Sequence, residues 1–211
     1  MTASNHLILF TRFPRPTTTK TRLAPLLGDR GAAELQRTMT EQVVEEMIQL
    51  RKEFPVTLSI CYDDAQLDEM TRWLGSDFLF HPQVPGDLGL KMAGAFMALS
   101  GTGCERALLV GSDIPEIDKD ILQKGFNSLE EHDVVFGPSA DGGYYLLGLR
   151  TASMKHLGNL LFSDIPWSTE NVLRLSLERI RRHGYTVFLL PVLQDIDRPE
   201  DLILARRKGL L

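Results

Sequence analysis

The stretch Leu108-Leu109-Val110-Gly111-Ser112-Asp113-Ile114-Pro115 constrains the fold of this chain most. An unbroken apolar run ends in a glycine, a single acid follows, and a proline blocks any continuation. A run without polar alternation is buried on both faces, the habit of a parallel strand covered by helices. In open α/β sheets the ligand crevice lies beyond the carboxyl ends of the strands, so Asp113 is expected at a crevice. A hard divalent cation that also takes phosphate oxygens needs only one or two protein carboxylates, and Asp113 suits that role. A turn or a short helix cap formed by Ser112 or Asp113 is the bland reading of the same residues.

The remaining apolar runs set an alternating order around it. Leu7–Phe10 is a first strand, followed by a polar, proline-punctuated loop from Thr11 to about Leu27. Gly28-Asp29 opens a long helix with Leu35, Met39, Val43, Met47 and Leu50 at helical spacing, ended by Pro55. Val56–Cys61 reads as a second strand, Ala65–Leu74 as a helix and Phe78–Phe80 as a short strand. The loop Gln83–Gly89 leads into a helix through Met92, Ala95, Phe96 and Leu99. Asp118 caps a helix to about Leu129. Strands at Asp133–Phe136 and Tyr144–Gly148 lie too close in sequence for a parallel crossover, so they are antiparallel neighbours or sit apart in a mixed sheet. Ser168-Thr169 is expected to cap a helix from Glu170 to His183, Thr186–Leu189 to be a late strand, and Asp197 to cap a final helix opened by Pro199. Alternation of β and α predicts a three-layer α/β/α sandwich with a mostly parallel mixed sheet, formed by a single domain over residues 1–211.

A formal net charge of -5, with no basic run, argues against general nucleic-acid or anionic-membrane binding. The two cysteines, Cys61 and Cys104, give neither a zinc pattern nor a disulfide framework. No signal peptide and no bilayer-length apolar stretch is seen, so a cytoplasmic location is expected.

Chemistry can reside in four loops. Arg12, Arg15, Lys20 and Arg22 follow the first strand, where forked and point-charge donors hold phosphate, or where a basic loop is merely solvated. Thr17-Thr18-Thr19 adds hydroxyls but no glycine, so a P-loop or Rossmann cradle is not expected. In the second loop Gln83 either reads a base edge or satisfies backbone groups, beside Gly86, Asp87 and Gly89. Asp141 precedes Gly142 and Gly143, whose lack of a side chain allows close backbone approach to a ligand. Asp141 itself is a general base, a hydroxyl partner or a turn former. Asp195 and Asp197 flank Ile196, and a capping Asp197 keeps an oxygen for a metal. Trp167 is a core residue or a lid that stacks on a flat group. The five histidines share no ligand spacing.

Taken together, Phe10–Pro16, Lys20–Leu23, Gly86–Gly89, Gly111–Pro115, Asp141–Gly148, Trp167–Thr169 and Asp195–Leu202 resemble, in order, a family of small bacterial GT-A-type glycosyltransferases of the nucleotide-diphospho-sugar transferase superfamily. Some of its members are linked to arsenosugar biosynthesis. Phospholactate and molybdenum-cofactor guanylyltransferases are more distant cousins on the same fold. The resemblance implies a nucleotide over the first loop, bound by Arg12, Lys20, Arg22, Gln83, Gly86, Asp87, Gly89, Gly142, Gly143 and Trp167. It implies Mg²⁺ or Mn²⁺ on Asp113, with Asp197 as a second metal contact. Two departures stand out: Thr17 where the family has Gly, implying a stiffer or differently shaped loop, and Lys91 in place of an Arg. The expected activity is metal-dependent sugar transfer from a nucleoside-diphosphate sugar to a small-molecule acceptor, with Asp113 and Asp141 catalytic and Asp141 the base if the transfer inverts. A nucleotidyltransferase releasing pyrophosphate is the alternative, against which Thr17–Thr19 argue. A catalytically weakened nucleotide-binding protein is the third, against which Asp113 and Asp197 argue.

Overall fold

The apolar runs become neighbours in one seven-stranded sheet in a computed structural model that describes residues 4–211. The first three residues of the expected domain lie outside the described residues. The strands are β1 (Asn5–Arg12), β2 (Thr57–Asp63), β3 (Leu79–Pro82), β4 (Arg106–Gly111), β5 (Val134–Pro138), β6 (Tyr144–Arg150) and β7 (Val187–Leu189), in the order β3-β2-β1-β4-β6-β5-β7. Only β6 runs antiparallel to its neighbours β4 and β5; every other pairing is parallel. The chain leaves β1 toward β3 on one side and returns to β4 on the other. That reversal is a topological switch point, and the crevice of such a sheet opens there, beyond the ends of β1 and β4.

Helices cover both faces. They are α1 (Ala24–Glu53), α2 (Leu67–Leu74), α3 (Leu88–Met97), α4 (Lys119–Ser128), α5 (Met154–Phe162), α6 (Val172–Arg182) and α7 (Leu202–Arg207). Successive strand residues point to opposite faces. Leu7, Leu9, Leu108 and Val110 therefore meet Val43 and Met47 of α1, Met70 of α2 and Phe126 of α4. Ile8, Phe10 and Leu109 meet Phe96 of α3, Leu157 of α5 and Ile180 of α6. This is the expected three-layer sandwich. A third apolar cluster packs Leu23, Ala32, Leu35 and Met39 against Ile196, Leu202 and Ala205. It pins the carboxy-terminal segment to the loop after β1, which matters for the site.

The structure corrects several local expectations. A helical turn forms before Gly28, whose φ of 69° and ψ of 162° then break α1. Helix α5 was not among the expected elements, although Met154, Leu157 and Leu161 fall at helical spacing; its N-cap makes no side-chain bond, and Gly158 lies inside it. Ser168 and Thr169 do not cap α6, which begins later at Val172; the Thr169 hydroxyl instead donates to the carbonyl of Pro166. Asp197 does not cap the final helix either. Its own N–H and that of Arg198 both donate to Oδ2 of Asp201, leaving the Asp197 carboxylate for other partners. Both cysteines are free thiols, and burial pushes the Cys61 thiol up to about 12, which leaves it inert. Among the described residues no helix is long and apolar enough to cross a membrane.

Candidate active site

A cleft of about 590 Å³ opens over the carboxyl ends of β1, β2 and β4, a size that suits a small-molecule ligand. Asp113 reaches it because β4 is held at one register by a buried polar cluster below. The Gln36 amide donates to the Ser112 hydroxyl (2.9 Å) and to Thr40 (3.2 Å), while Ser112 donates to Thr11 (3.1 Å). All four side chains are buried, and satisfied buried networks rigidify what they hold. A backbone bond from Ile196 N–H to the Asp113 carbonyl (3.0 Å) draws the carboxy-terminal segment alongside. Asp197 thereby stands beside Asp113.

The two acids converge on one cation. The Lys20 ammonium lies 3.1 Å from Oδ2 of Asp113 and 3.6 Å from Oδ1 of Asp197. Its side chain is only 4% exposed, against 47% for Asp113 and 34% for Asp197. Arg22 takes the other oxygen of Asp197. Lys20 is placed there by a loop in which it and Thr17 both adopt left-handed backbone, with φ of 50° and 74°. Thr17 thus has a positive φ, in the region that glycine enters most easily. Two carboxylates gathered on one positive charge are the donor set that a hard divalent ion takes when phosphate oxygens complete its shell. Among the described residues no group of three or more His, Cys, Asp or Glu side chains could cage an ion by itself.

Arg15 does not face the cleft. It is bound bidentately by Glu69 (2.7 and 2.8 Å), and this pairing raises the pKa of its guanidinium. Arg12, at the end of β1, pairs instead with Asp63. Lys91 donates to the same Asp63 carboxylate at 2.8 Å, and that bond first of all holds the carboxyl below its usual range. Asp63 is a cleft residue that sequence reasoning passed over. It ends the apolar run of β2 just as Asp113 follows β4, so the same signal would have found it.

The opposite wall comes from the loop between β5 and β6. Oδ1 of Asp141 accepts from the Ser139 hydroxyl and from the Gly143 N–H (2.9 Å). Gly142 has φ of 90°, and a Cβ there would meet the Glu170 carbonyl at 2.2 Å. Asp195 lines the same end of the cleft, and burial, then the nearby Asp141, raises its pKa. Trp167 also lines the cleft and lies over Gly89, where a Cβ would come within 2.8 Å of the indole.

Of the residues expected at the site, Arg12, Lys20, Gln83, Gly86, Asp113, Asp141, Gly143, Trp167 and Asp197 line the cleft. Arg22 acts one step back through Asp197. Asp87 caps α3 by accepting from Leu90 N–H (2.9 Å), and Gly89 and Gly142 make room for the walls. The Gln83 amide donates to the carbonyls of Thr11 (3.3 Å) and Cys61 (3.1 Å), tying the ends of β1 and β2 together.

A solved structure of a proposed nucleotide-diphospho-sugar transferase from Desulfovibrio desulfuricans is 34% identical and superposes with a TM-score of 0.86, covering 97% of this chain and 87% of that one. The 2-phospho-L-lactate guanylyltransferase of Methanocaldococcus vulcanius is 24% identical over 183 residues, 87% of this chain and 76% of that protein. The 4-diphosphocytidyl-2C-methyl-D-erythritol synthase of Anaerococcus prevotii shares the fold at a TM-score of 0.63 and 13% identity, with 98% of each chain covered. Residues 46–169 match the family described as an uncharacterized protein conserved in bacteria (DUF2064). With that match over more than half its length, on the fold of the nucleotide-diphospho-sugar transferases, the chain belongs to the DUF2064 family.

Proposed function

We propose that the protein is a divalent-metal-dependent glycosyltransferase that moves a sugar from a nucleoside-diphosphate sugar to a small-molecule acceptor. The observation that carries this reading is the charge of the cleft. Five carboxylates line it (Asp63, Asp113, Asp141, Asp195, Asp197) against three cations, Arg12, Lys20 and Lys91. Counting Arg22 still leaves the acids in excess. Such a cleft repels a bare diphosphate, so a diphosphate enters it with a cation. In the proposed reaction Asp113 and Asp197 hold that cation, and when bound it supplies Lewis-acid stabilisation of the departing diphosphate. Lys20 and Arg22 add positive charge where the leaving group develops. Asp141, oriented by Ser139 and the Gly143 N–H, accepts the proton of the acceptor hydroxyl in an inverting transfer. Trp167 offers a flat apolar face beside it, suited to a sugar ring or an acceptor. An acceptor panel, including that of the arsenosugar-linked relatives, identifies the acceptor.

One observation favours a second reading, nucleotidyl transfer with release of pyrophosphate. Thr17 has a positive φ, which glycine favours, so the absence of glycine here does not by itself argue against a triphosphate loop. The likeness to a guanylyltransferase supports the same reading. A thermal-shift panel of nucleoside-diphosphate sugars and nucleoside triphosphates, with and without Mn²⁺, separates the two, because a ligand of the folded state raises its melting temperature. Nucleotide-sugars alone should shift it; shifts with triphosphates alone would replace the first reading by the second.

Asp113→Asn keeps the local backbone bonds but removes the charge that a hard cation needs. The variant takes from the buried Lys20 the nearer of its two carboxylates, so it should fold with lowered stability and lose metal-dependent nucleotide-sugar binding in calorimetric titration at a temperature below its melting transition. Equal, metal-dependent affinity in both proteins would remove Asp113 from the metal role.

A further inference from the structure

Three of the four carboxylate oxygens assigned to the cation already face a positive charge. One oxygen of Asp113 and one of Asp197 are held by the Lys20 ammonium, and the second oxygen of Asp197 is held by Arg22. A divalent ion arriving alone would find only Oδ1 of Asp113 unpaired; to take both acids it would have to displace a buried ammonium that has no other carboxylate within ion-pair reach among the described residues, and would then sit beside it and beside Arg22. Like charges at that separation in a partly desolvated site are strongly disfavoured. A diphosphate changes this balance, because its oxygens accept the ammonium's hydrogen bonds while the ion takes the carboxylates. Every charge then keeps a partner.

We propose that Lys20 is the resident counter-ion of the cation position, excluding a divalent ion from the free protein and admitting it only together with a nucleotide's diphosphate. This rests on the reading of the cleft as a nucleotide-diphosphate site. It adds an order of binding and gives Lys20 two successive partners: the acid pair in the free protein and the diphosphate in the complex. The loop sets the starting point, since the left-handed backbone at Thr17 and Lys20 aims the side chain inward and leaves its stem almost wholly covered.

The test is titration of Mn²⁺ alone, read by the water-proton relaxation enhancement of the protein-bound ion. The unaltered protein should bind Mn²⁺ weakly. Lys20→Gln should bind it at least about tenfold more tightly, as expected when an ammonium competing at ion-pair distance is removed. Lys20→Arg should remain weak, and Asp113→Asn placed on Lys20→Gln should cancel the gain. Lys20→Met serves the same purpose if the glutamine variant does not fold. Tight Mn²⁺ binding by the unaltered protein overturns the proposal without any variant, and so does equal affinity in the unaltered and Lys20→Gln proteins. Adding UDP, GDP, CDP or ADP should raise the Mn²⁺ affinity of the unaltered protein and close the gap to Lys20→Gln. If no nucleotide does so while the Lys20→Gln gain persists, the counter-ion role stands and the nucleotide reading falls.

Discussion

Thr17 carries a strain that its neighbours do not relieve. A β-branched residue at φ of 74° is an outlier, because the branch crowds the backbone in the left-handed region. Such a conformation costs about 1–3 kcal/mol, while the added freedom of glycine in the unfolded chain costs about 0.5–1 kcal/mol. Strain relief is the larger effect, so Thr17→Gly should stabilise the fold by about 1 kcal/mol and raise Tm by about 2–4 °C for a chain of this size. Urea and thermal unfolding check this. A loss of stability would mean that the Thr17 side chain contributes more than its backbone costs. Arg15 gives the complementary lesson. It looked like a phosphate ligand by position, yet its Nη2 is spent on both oxygens of Glu69 and its Nε on the Asp64 carbonyl. Whether an arginine meets a ligand depends on which acid the fold brings to it first.

Among the elements, α3 shows two rules in opposition. Gly89 lies near its first turn, and helix propensity alone favours Gly89→Ala by about 1 kcal/mol. The space decides otherwise. A Cβ there would come within 2.6 Å of the Phe162 carbonyl and 2.8 Å of the Trp167 indole, and overpacking against backbone costs about 1–3 kcal/mol. Gly89→Ala should therefore lower stability by about 1 kcal/mol, the middle of the net of these terms. It should also shift the emission of Trp167 as the indole moves, which a Trp73→Phe background makes readable. An unchanged spectrum with a gain in stability would show that propensity governs this site. The same contact packs the start of α3 against the Trp167 loop, and both line the cleft.

Across the whole molecule, stability is tied to pH through His6. Its ring is buried beside Ser59 (2.9 Å), and burial, then the neighbouring His81, lowers its pKa from 6.5 to about 4. The unfolded chain therefore binds a proton that the folded chain refuses across this window. Stability is full above pH 6.5 and falls as the pH drops toward 4, by up to about 3 kcal/mol at about 1.4 kcal/mol per unit. Chemical denaturation at pH 7.5 and pH 4.5 measures the loss, and His6→Gln should flatten it. A slope unchanged by that substitution would assign the acid sensitivity to other groups.

The layered fold and the position of Asp113 were legible in the sequence because both depend on local pattern. An unbroken apolar run is buried on both faces wherever it lies, and an acid after it falls at a strand's end. Helix α5 was only faintly legible: Met154, Leu157 and Leu161 fall at helical spacing, but Gly158 interrupts the segment and no side-chain cap marks its start. Asp197 was read as a cap because Asp before Arg-Pro-Glu commonly caps a helix. The fold gave the backbone amides to Asp201 and turned Asp197 toward Lys20 and Arg22, more than 170 residues away for each pair. Composition and periodicity specify which groups are buried and which segments become strands or helices. They do not specify which charges meet, because an ion pair between distant segments exists only once the packing of Leu23 and Leu35 against Ile196 and Leu202 has closed the chain on itself.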